Sequence, residues 1–246
     1  MGYLENPKTK ESGIFTAIPQ RGKCPMNCDD CFFQSGRSYL EPLLNNLPNL
    51  PPPEKMQERI IRVNDGLDSN INRMIVEEKI KQYKFYFFNT SIPMDIEKFS
   101  GPVVLTINPG KMTDSGFHRI IPPSNLMFVR IRTNTWNLRI IDEAVTYYSS
   151  YKTPIVLTFM AYFTSPIPAG HQNNYIFRKR TINNYWAITT VAWREIMRRY
   201  EDNMWVYSCG KIEGERGITA CARCGNCIRE YFVTLERISP ALISTP

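Results

Sequence analysis

Seven cysteines carry the most legible chemistry of this 246-residue chain, and none of them falls between Phe32 and Ser208. Cys24, Cys28 and Cys31 stand in the run Cys-Pro-Met-Asn-Cys-Asp-Asp-Cys, a C-x3-C-x2-C spacing. Cys209, Cys221, Cys224 and Cys227 follow as C-x11-C-x2-C-x2-C. Clustered cysteines in a chain with no export signal point to metal rather than to disulfides, and three plus four leaves no thiol over. Three thiolates in one loop can hold three irons of a cubane [4Fe–4S] cluster and leave the fourth iron open. Catalytic metal sites keep such a free position, whereas structural sites are closed.

The quartet makes a closed set. Its C-x2-C-x2-C core resembles the tight runs that ligate ferredoxin clusters. Gly210, Gly214, Gly217 and Gly225 let the backbone wrap closely around a sulfur cage. Two groups fit four thiolates here: a second [4Fe–4S] cluster, or a structural zinc that locks the tail down. Arg216 and Arg223 are the candidates to offset the charge.

The elements that must position these thiols read as short apolar strands alternating with amphipathic helices, the pattern of a parallel sheet with helical crossovers. Strands are expected at 13–18, 84–88, 103–107, 126–132, 155–160 and 204–207. Helices are expected at 54–63, 68–82, 136–148 and 183–200. About six strands give an α/β fold, a partial (β/α)6 TIM-like barrel, with an open doubly wound sheet as the alternative. Residues 1–208 form the barrel and 209–246 a short C-terminal metal-cluster segment. In either architecture ligands sit beyond the carboxyl ends of the strands. The triplet, Asn89, Asn108, Asn134 and Cys209 all fall just past such ends.

With this loop after a first strand, the triplet resembles the signature of the radical S-adenosylmethionine superfamily. The resemblance covers residues 13–35 closely and the strand–helix alternation coarsely through residue 208. It implies that S-adenosylmethionine chelates the open iron, that an electron from the reduced cluster breaks its sulfonium bond, and that a 5′-deoxyadenosyl radical abstracts hydrogen from a substrate. It also implies an electron donor such as flavodoxin or ferredoxin. Two departures stand out. Asp30 occupies the place before the third cysteine that is often aromatic, and Phe32 and Phe33 follow; Phe33 is the candidate to pack on the adenine. Asn89-Thr90-Ser91 replaces the glycine-rich turn that binds the methionine amine in many relatives.

Strand alternation puts Arg130, Arg132 and Asn134 on one face. Arg132 is the candidate for the cofactor carboxylate, because its planar fork donates to two oxygens at once. Asn89, Thr90, Ser91, Asn108, Arg132 and Asn134 complete the candidate cofactor-binding set with Phe33. Asn108-Pro109-Gly110-Lys111 lacks P-loop spacing and reads as a turn. The 163–181 connection, with Pro166, Pro168, Gly170 and His171, reads as a candidate substrate-covering lid. His118 and His171 read first as ordinary histidines.

Hydrophobic residues make up 43 % and charged residues 22 %, enough to bury a core and too ordered a composition for a disordered chain. The 154–163 apolar stretch is too short to cross a bilayer, and residues 1–11 lack the apolar centre of a signal peptide. The expectation is a cytoplasmic protein without a membrane partner. A net charge of +7, its densest group at Arg178, Lys179 and Arg180, favours an anionic partner. The substrate stays open between a small molecule, a nucleotide and a peptide. The rival reading is a zinc-stabilised nucleic-acid-binding protein without catalysis; it requires zinc in the cysteine sites and salt-sensitive nucleic-acid binding.

Overall fold

The structure, a computed structural model, describes residues 2–28, 31–109, 117–163, 166–179 and 184–239. Its frame is a mixed α/β arrangement around a seven-stranded, all-parallel sheet that curls into a half-barrel. In chain order the elements are β1 (Ile14–Ala17), α1 (Leu43–Asn46), β2 (Ile60–Val63), α2 (Arg73–Ile80), β3 (Phe85–Thr90), β4 (Val103–Ile107), β5 (Leu126–Arg132), α3 (Leu138–Ser150) and β6 (Ile155–Thr158). They continue with β7 (Tyr175–Arg178), β8 (Tyr185–Ile188), α4 (Thr190–Arg198), β9 (Val206–Cys209), β10 (Lys211–Ile212), β11 (Glu215–Arg216), α5 (Ile218–Cys224) and α6 (Asn226–Ile238). The sheet order is β1-β2-β3-β4-β5-β6-β9.

Two segments differ from the sequence expectation. Residues 54–63, read as a helix, hold only one short 3-10 turn before β2. Glu, Lys, Met and Gln favour a helix locally, but Ile60, Ile61 and Val63 are buried, and β-branched residues enclosed on both faces fit a central parallel strand. That strand raises the count from six to seven. Residues 183–200, read as one helix, divide into β8 and α4. Tyr185 to Ile188 pairs antiparallel with β7, and Thr189 then caps α4 by accepting the Ala192 amide at 3.2 Å. The 163–181 connection therefore supplies one strand of a β-hairpin, β7.

The outer face of the sheet packs under helices. Ile140, Ile141, Ala144, Val145 and Tyr148 of α3 and Ala192, Trp193 and Ile196 of α4 are buried at helical spacing against Val103, Leu105, Val129, Ile131 and Leu157. The concave face has a different cover. Phe87, Val104, Phe128 and Val156 meet Tyr231 of α6, with Ile228 and Leu235 beside it. At one end of α6, Asn226 Nδ2 donates to Ser208 O at the top of β9 (2.9 Å). At the other, Arg237 donates to Leu126 O at the foot of β5 and to Ser124 O (both 2.6 Å). The helix thus runs down the trough opposite to the strands and fills the hollow of the half-barrel. Burying Tyr231 contributes about 1.5–3 kcal/mol. No helix among the described residues is long and apolar enough to cross a membrane.

Candidate metal centres

Because every strand of the sheet is parallel, residues at the strand ends collect on one edge. The triplet loop leaves β1 there and is fastened at three places. Ile18 and Asn49 exchange backbone hydrogen bonds of 2.8 and 2.9 Å. Asn64 Nδ2 donates to Gln20 Oε1 (2.8 Å) and to Ser69 Oγ (3.2 Å), while Gln20 Nε2 donates to Ile71 O. Within the loop, the Gln34 amide both accepts from Cys24 N and donates to Cys24 O, each at 3.1 Å. Phe33 is buried against Gly66, where an added Cβ would stand 1.9 Å from the ring.

These ties set the surroundings of Cys24, Cys28 and Cys31, all partly buried and none in a disulfide. Burial pushes the Cys24 thiol up; Asp68, Cys28 and Cys31 add to this and the Met26 amide opposes it. Negative charge on Cys24 is therefore unfavourable unless a cation faces it. Among the described residues no three such side chains already stand at coordinating spacing. Asp30 lies outside the described residues.

The expected cofactor-binding residues occupy this edge with varied employment. Asp68 is buried and accepts from Thr90 Oγ1 (2.7 Å), Ser91 N (2.6 Å), Ser91 Oγ (2.8 Å) and Asn70 N (2.9 Å). Thr90 and Ser91 thus organise the loop below Cys24 through a carboxylate that sequence reasoning did not single out. Asn89 Nδ2 donates to Val63 O (2.8 Å), and its Oδ1 accepts from Arg130 Nη1 (3.0 Å). Asn134 Oδ1 accepts the Trp136 and Asn137 amides at 3.1 and 2.8 Å, so its carbonyl starts α3. Asn108 Oδ1 is buried without a hydrogen-bond partner among the described residues; Gly110 and Lys111 of the expected turn lie outside them. Arg132 is buried with its guanidinium 4.7 Å from the Tyr162 ring centre. Phe33 faces the core, and Phe32 instead tilts against Phe163 at 5.9 Å.

The hairpin β7–β8 borders the same edge. Tyr162 bridges to Trp186, Phe163 meets Tyr185 at 5.7 Å, and Trp136, Tyr162 and Tyr175 pack together. His171 Nδ1 lies 2.9 Å from Thr135 Oγ1. An aromatic path thereby joins the triplet loop to the connection read as a lid.

The quartet lies about the top of α6, and among the described residues no three of its thiols stand at metal-holding spacing. Cys209 ends β9 opposite Thr158, Cys221 and Cys224 lie on α5, and Cys227 is in the first turn of α6. Cys209 and Cys227 border the apolar cluster of the concave face. The neighbouring Cys224 thiol lowers Cys209 to about 6 against the effect of burial, with help from Arg130, Arg62 and Thr158, while Cys224 Sγ itself donates to Cys221 O at 3.6 Å. The nearness of Cys209, then burial, raises Cys224. Burial raises Cys227 and Cys221, and Cys209 adds to it in both; Arg130 and Arg62 oppose it at Cys227, and Arg62 opposes it at Cys221.

Both arginines expected to offset the quartet's charge are exposed. Arg223 pairs with Glu215 at 2.8 Å, and Arg216 is exposed on β11. Arg62 of β2 and Arg130 of β5 point into the half-barrel instead. Burial opposes the charge of Arg62, and Asp65 with the quartet thiols more than reverses this. Burial and Arg62 push Arg130 down, while Cys227 and Cys209 pull it back. Soft sulfur donors facing two guanidiniums suit an anionic metal–thiolate group.

No family model, no curated protein and no solved structure matches this chain.

Proposed function

We propose that this protein is a radical S-adenosylmethionine enzyme, with an open-site [4Fe–4S] cluster held by Cys24, Cys28 and Cys31 and a closed cluster held by Cys209, Cys221, Cys224 and Cys227. The observation that carries this reading is the position of the C-x3-C-x2-C loop. It leaves the first strand of a parallel half-barrel at the edge where parallel α/β sheets bind ligands. When bound, the cluster would supply a single electron to the sulfonium of S-adenosylmethionine and so start hydrogen abstraction.

The chain's own residues would bind, orient and shield. Gln34, Phe33 on Gly66 and the Asn64–Gln20 pair hold the thiol loop, and Asp68 holds Thr90 and Ser91 beneath it. Arg132 would take the cofactor carboxylate at the end of β5, supported by its stacking on Tyr162. Asn108 offers a buried carbonyl oxygen for a donor on the nucleotide. The aromatic surround of Phe32, Phe163 and Tyr185 would keep water from the reacting centre.

Anaerobic reconstitution tests the proposal. Purified protein given iron, sulfide, S-adenosylmethionine and dithionite should release 5′-deoxyadenosine, and Cys28→Ala should abolish that release. Colourless protein with zinc at the triplet and no 5′-deoxyadenosine would refute it.

A further inference from the structure

Several arginines of this chain answer carboxylates. Arg119 and Arg139 pair with Glu143, Arg194 with Glu213 and Arg199 with Asp142. The edge that carries the triplet loop is built differently. Three segments distant in sequence converge there, and each brings a cation to an aromatic ring. Lys8 Nζ stands 4.7 Å from the ring centre of Phe32, the residue after Cys31. The Arg37 guanidinium lies 4.7 Å from the ring centre of Phe163. Phe163 in turn meets Phe32 at 5.9 Å and Tyr185 at 5.7 Å. Arg178 is the cross-strand partner of Tyr185 in the β7–β8 hairpin, so both side chains leave the same face.

Among the described residues none of these three cations forms an ion pair, and Arg37 Nη1 and Arg178 Nε are buried without a hydrogen-bond partner. The rings of Phe32, Phe163 and Tyr185 and both arginines remain partly exposed. Guanidinium nitrogens left unpaired call for an anion. Rings interleaved with the cations add planar faces, which nucleobases use and carboxylates do not. An acidic protein would need the charges alone.

We infer that this row, from Lys8 through Phe32, Phe163 and Tyr185 to Arg178, with Arg37 beside it, binds single-stranded nucleic acid, taking phosphates on the cations and unpaired bases against the rings. A duplex keeps its bases stacked inside and offers the same surface only its phosphates. The strand is thereby laid beside the loop of Cys24, Cys28 and Cys31. Its binding stands alone; its being the substrate of that loop's centre rests on the proposed function.

Fluorescence anisotropy of labelled oligomers of about 16 nucleotides, the upper site size of a single-strand groove, tests the binding on the full-length chain. Single-stranded RNA and DNA are separate arms, and at least one should bind. The matching duplex should bind about 5- to 150-fold more weakly, the range for one lost base–ring stack. Tyr185→Leu should weaken the strand by a similar factor, and Tyr185→Phe, which keeps the ring, should not. With Lys8, Arg37 and Arg178 all changed to Gln, the slope of log affinity against log salt should shrink by about 2, three phosphate contacts at about 0.7 each. If that variant does not fold, the exposed Lys8→Gln alone should shrink it by about 0.7. A merely structural role would leave the slope unchanged. No strand binding, an unchanged slope, or equal binding of duplex and single strand would overturn the inference. So would adenosine monophosphate or polyglutamate that displaces the strand at equal concentration, the first marking a mononucleotide site and the second a plain anion surface. Strand binding without release of 5′-deoxyadenosine would leave this site standing and overturn the radical reading. Release that a bound strand does not accelerate would overturn the strand as substrate.

Discussion

Phe33 lies so close over Gly66 that a Cβ at position 66 would come within 1.9 Å of the ring. This contact joins the triplet loop, two residues after Cys31, to the turn that follows β2. Gly66→Ala must displace either a buried aromatic ring or the loop backbone. Overpacking of this kind destabilises by about 1–3 kcal/mol. Denaturant unfolding should show that loss, and iron retention at the triplet should fall while the quartet keeps its metal. An unchanged unfolding midpoint would mean the loop yields freely and does not position the thiols.

Tyr231 is the buried aromatic anchor of α6 on the concave face. Truncating a large buried aromatic costs about 3–5 kcal/mol, so Tyr231→Ala should lower the unfolding free energy by about that amount. Cys227 lies one turn earlier on the same helix. Its alkylation in the metal-free protein should therefore speed up in Tyr231→Ala. If stability falls and alkylation does not change, the quartet is held by something other than this helix.

Thr189 caps α4 through its hydroxyl, which accepts the Ala192 amide. Thr189→Ala should reduce stability by about 1 kcal/mol, and Thr189→Asp should retain it. The comparison also tests the boundary between β8 and α4. A helix continuous through residue 189 would not respond to a capping residue there.

Several tyrosines set an alkaline limit. Burial raises Tyr39, Tyr83, Tyr148, Tyr175 and Tyr200, and pushes Tyr231 up to about 12. The unfolded chain ionises these groups near pH 10. A raised native pKa means the fold favours the neutral phenol. That contribution is complete below pH 10 and is lost as pH rises through the native values. Stability should therefore fall steadily above about pH 10, and phenolate absorbance of these groups should appear together with unfolding. Full phenolate absorbance in a still-folded protein would contradict their burial.

The parts of the fold legible from sequence were those in which local pattern and tertiary demand agree. β4 and β5 are compact apolar runs closed by turn residues, and their ends coincide with the expected 103–107 and 126–132. The stripe of Ile141, Val145 and Tyr148 likewise places α3 on the core. β2 was hidden because Ile-Ile-Arg-Val follows helix-forming residues and is enclosed on both faces, which removes the alternation that marks a strand. That error also concealed Arg62, whose inward direction follows only from its place in the sheet. The descent of α6 through the trough is purely tertiary, joining residues more than a hundred positions apart, as Arg237 and Leu126 show. Asp68 was not singled out from sequence, because its partners lie far along the chain. Its work becomes apparent once Thr90 and Ser91 arrive from β3.

The central claim is an iron at Cys24, Cys28 and Cys31 without a protein ligand. Its most direct test is electron paramagnetic resonance of the anaerobically reconstituted, dithionite-reduced protein with and without S-adenosylmethionine. The account predicts that the nucleotide shifts the signal of one cluster, that Cys28→Ala removes this component, and that the quartet signal stays where it was. Identical spectra before and after addition, from a protein whose triplet retains iron, would show that no open iron meets the sulfonium compound.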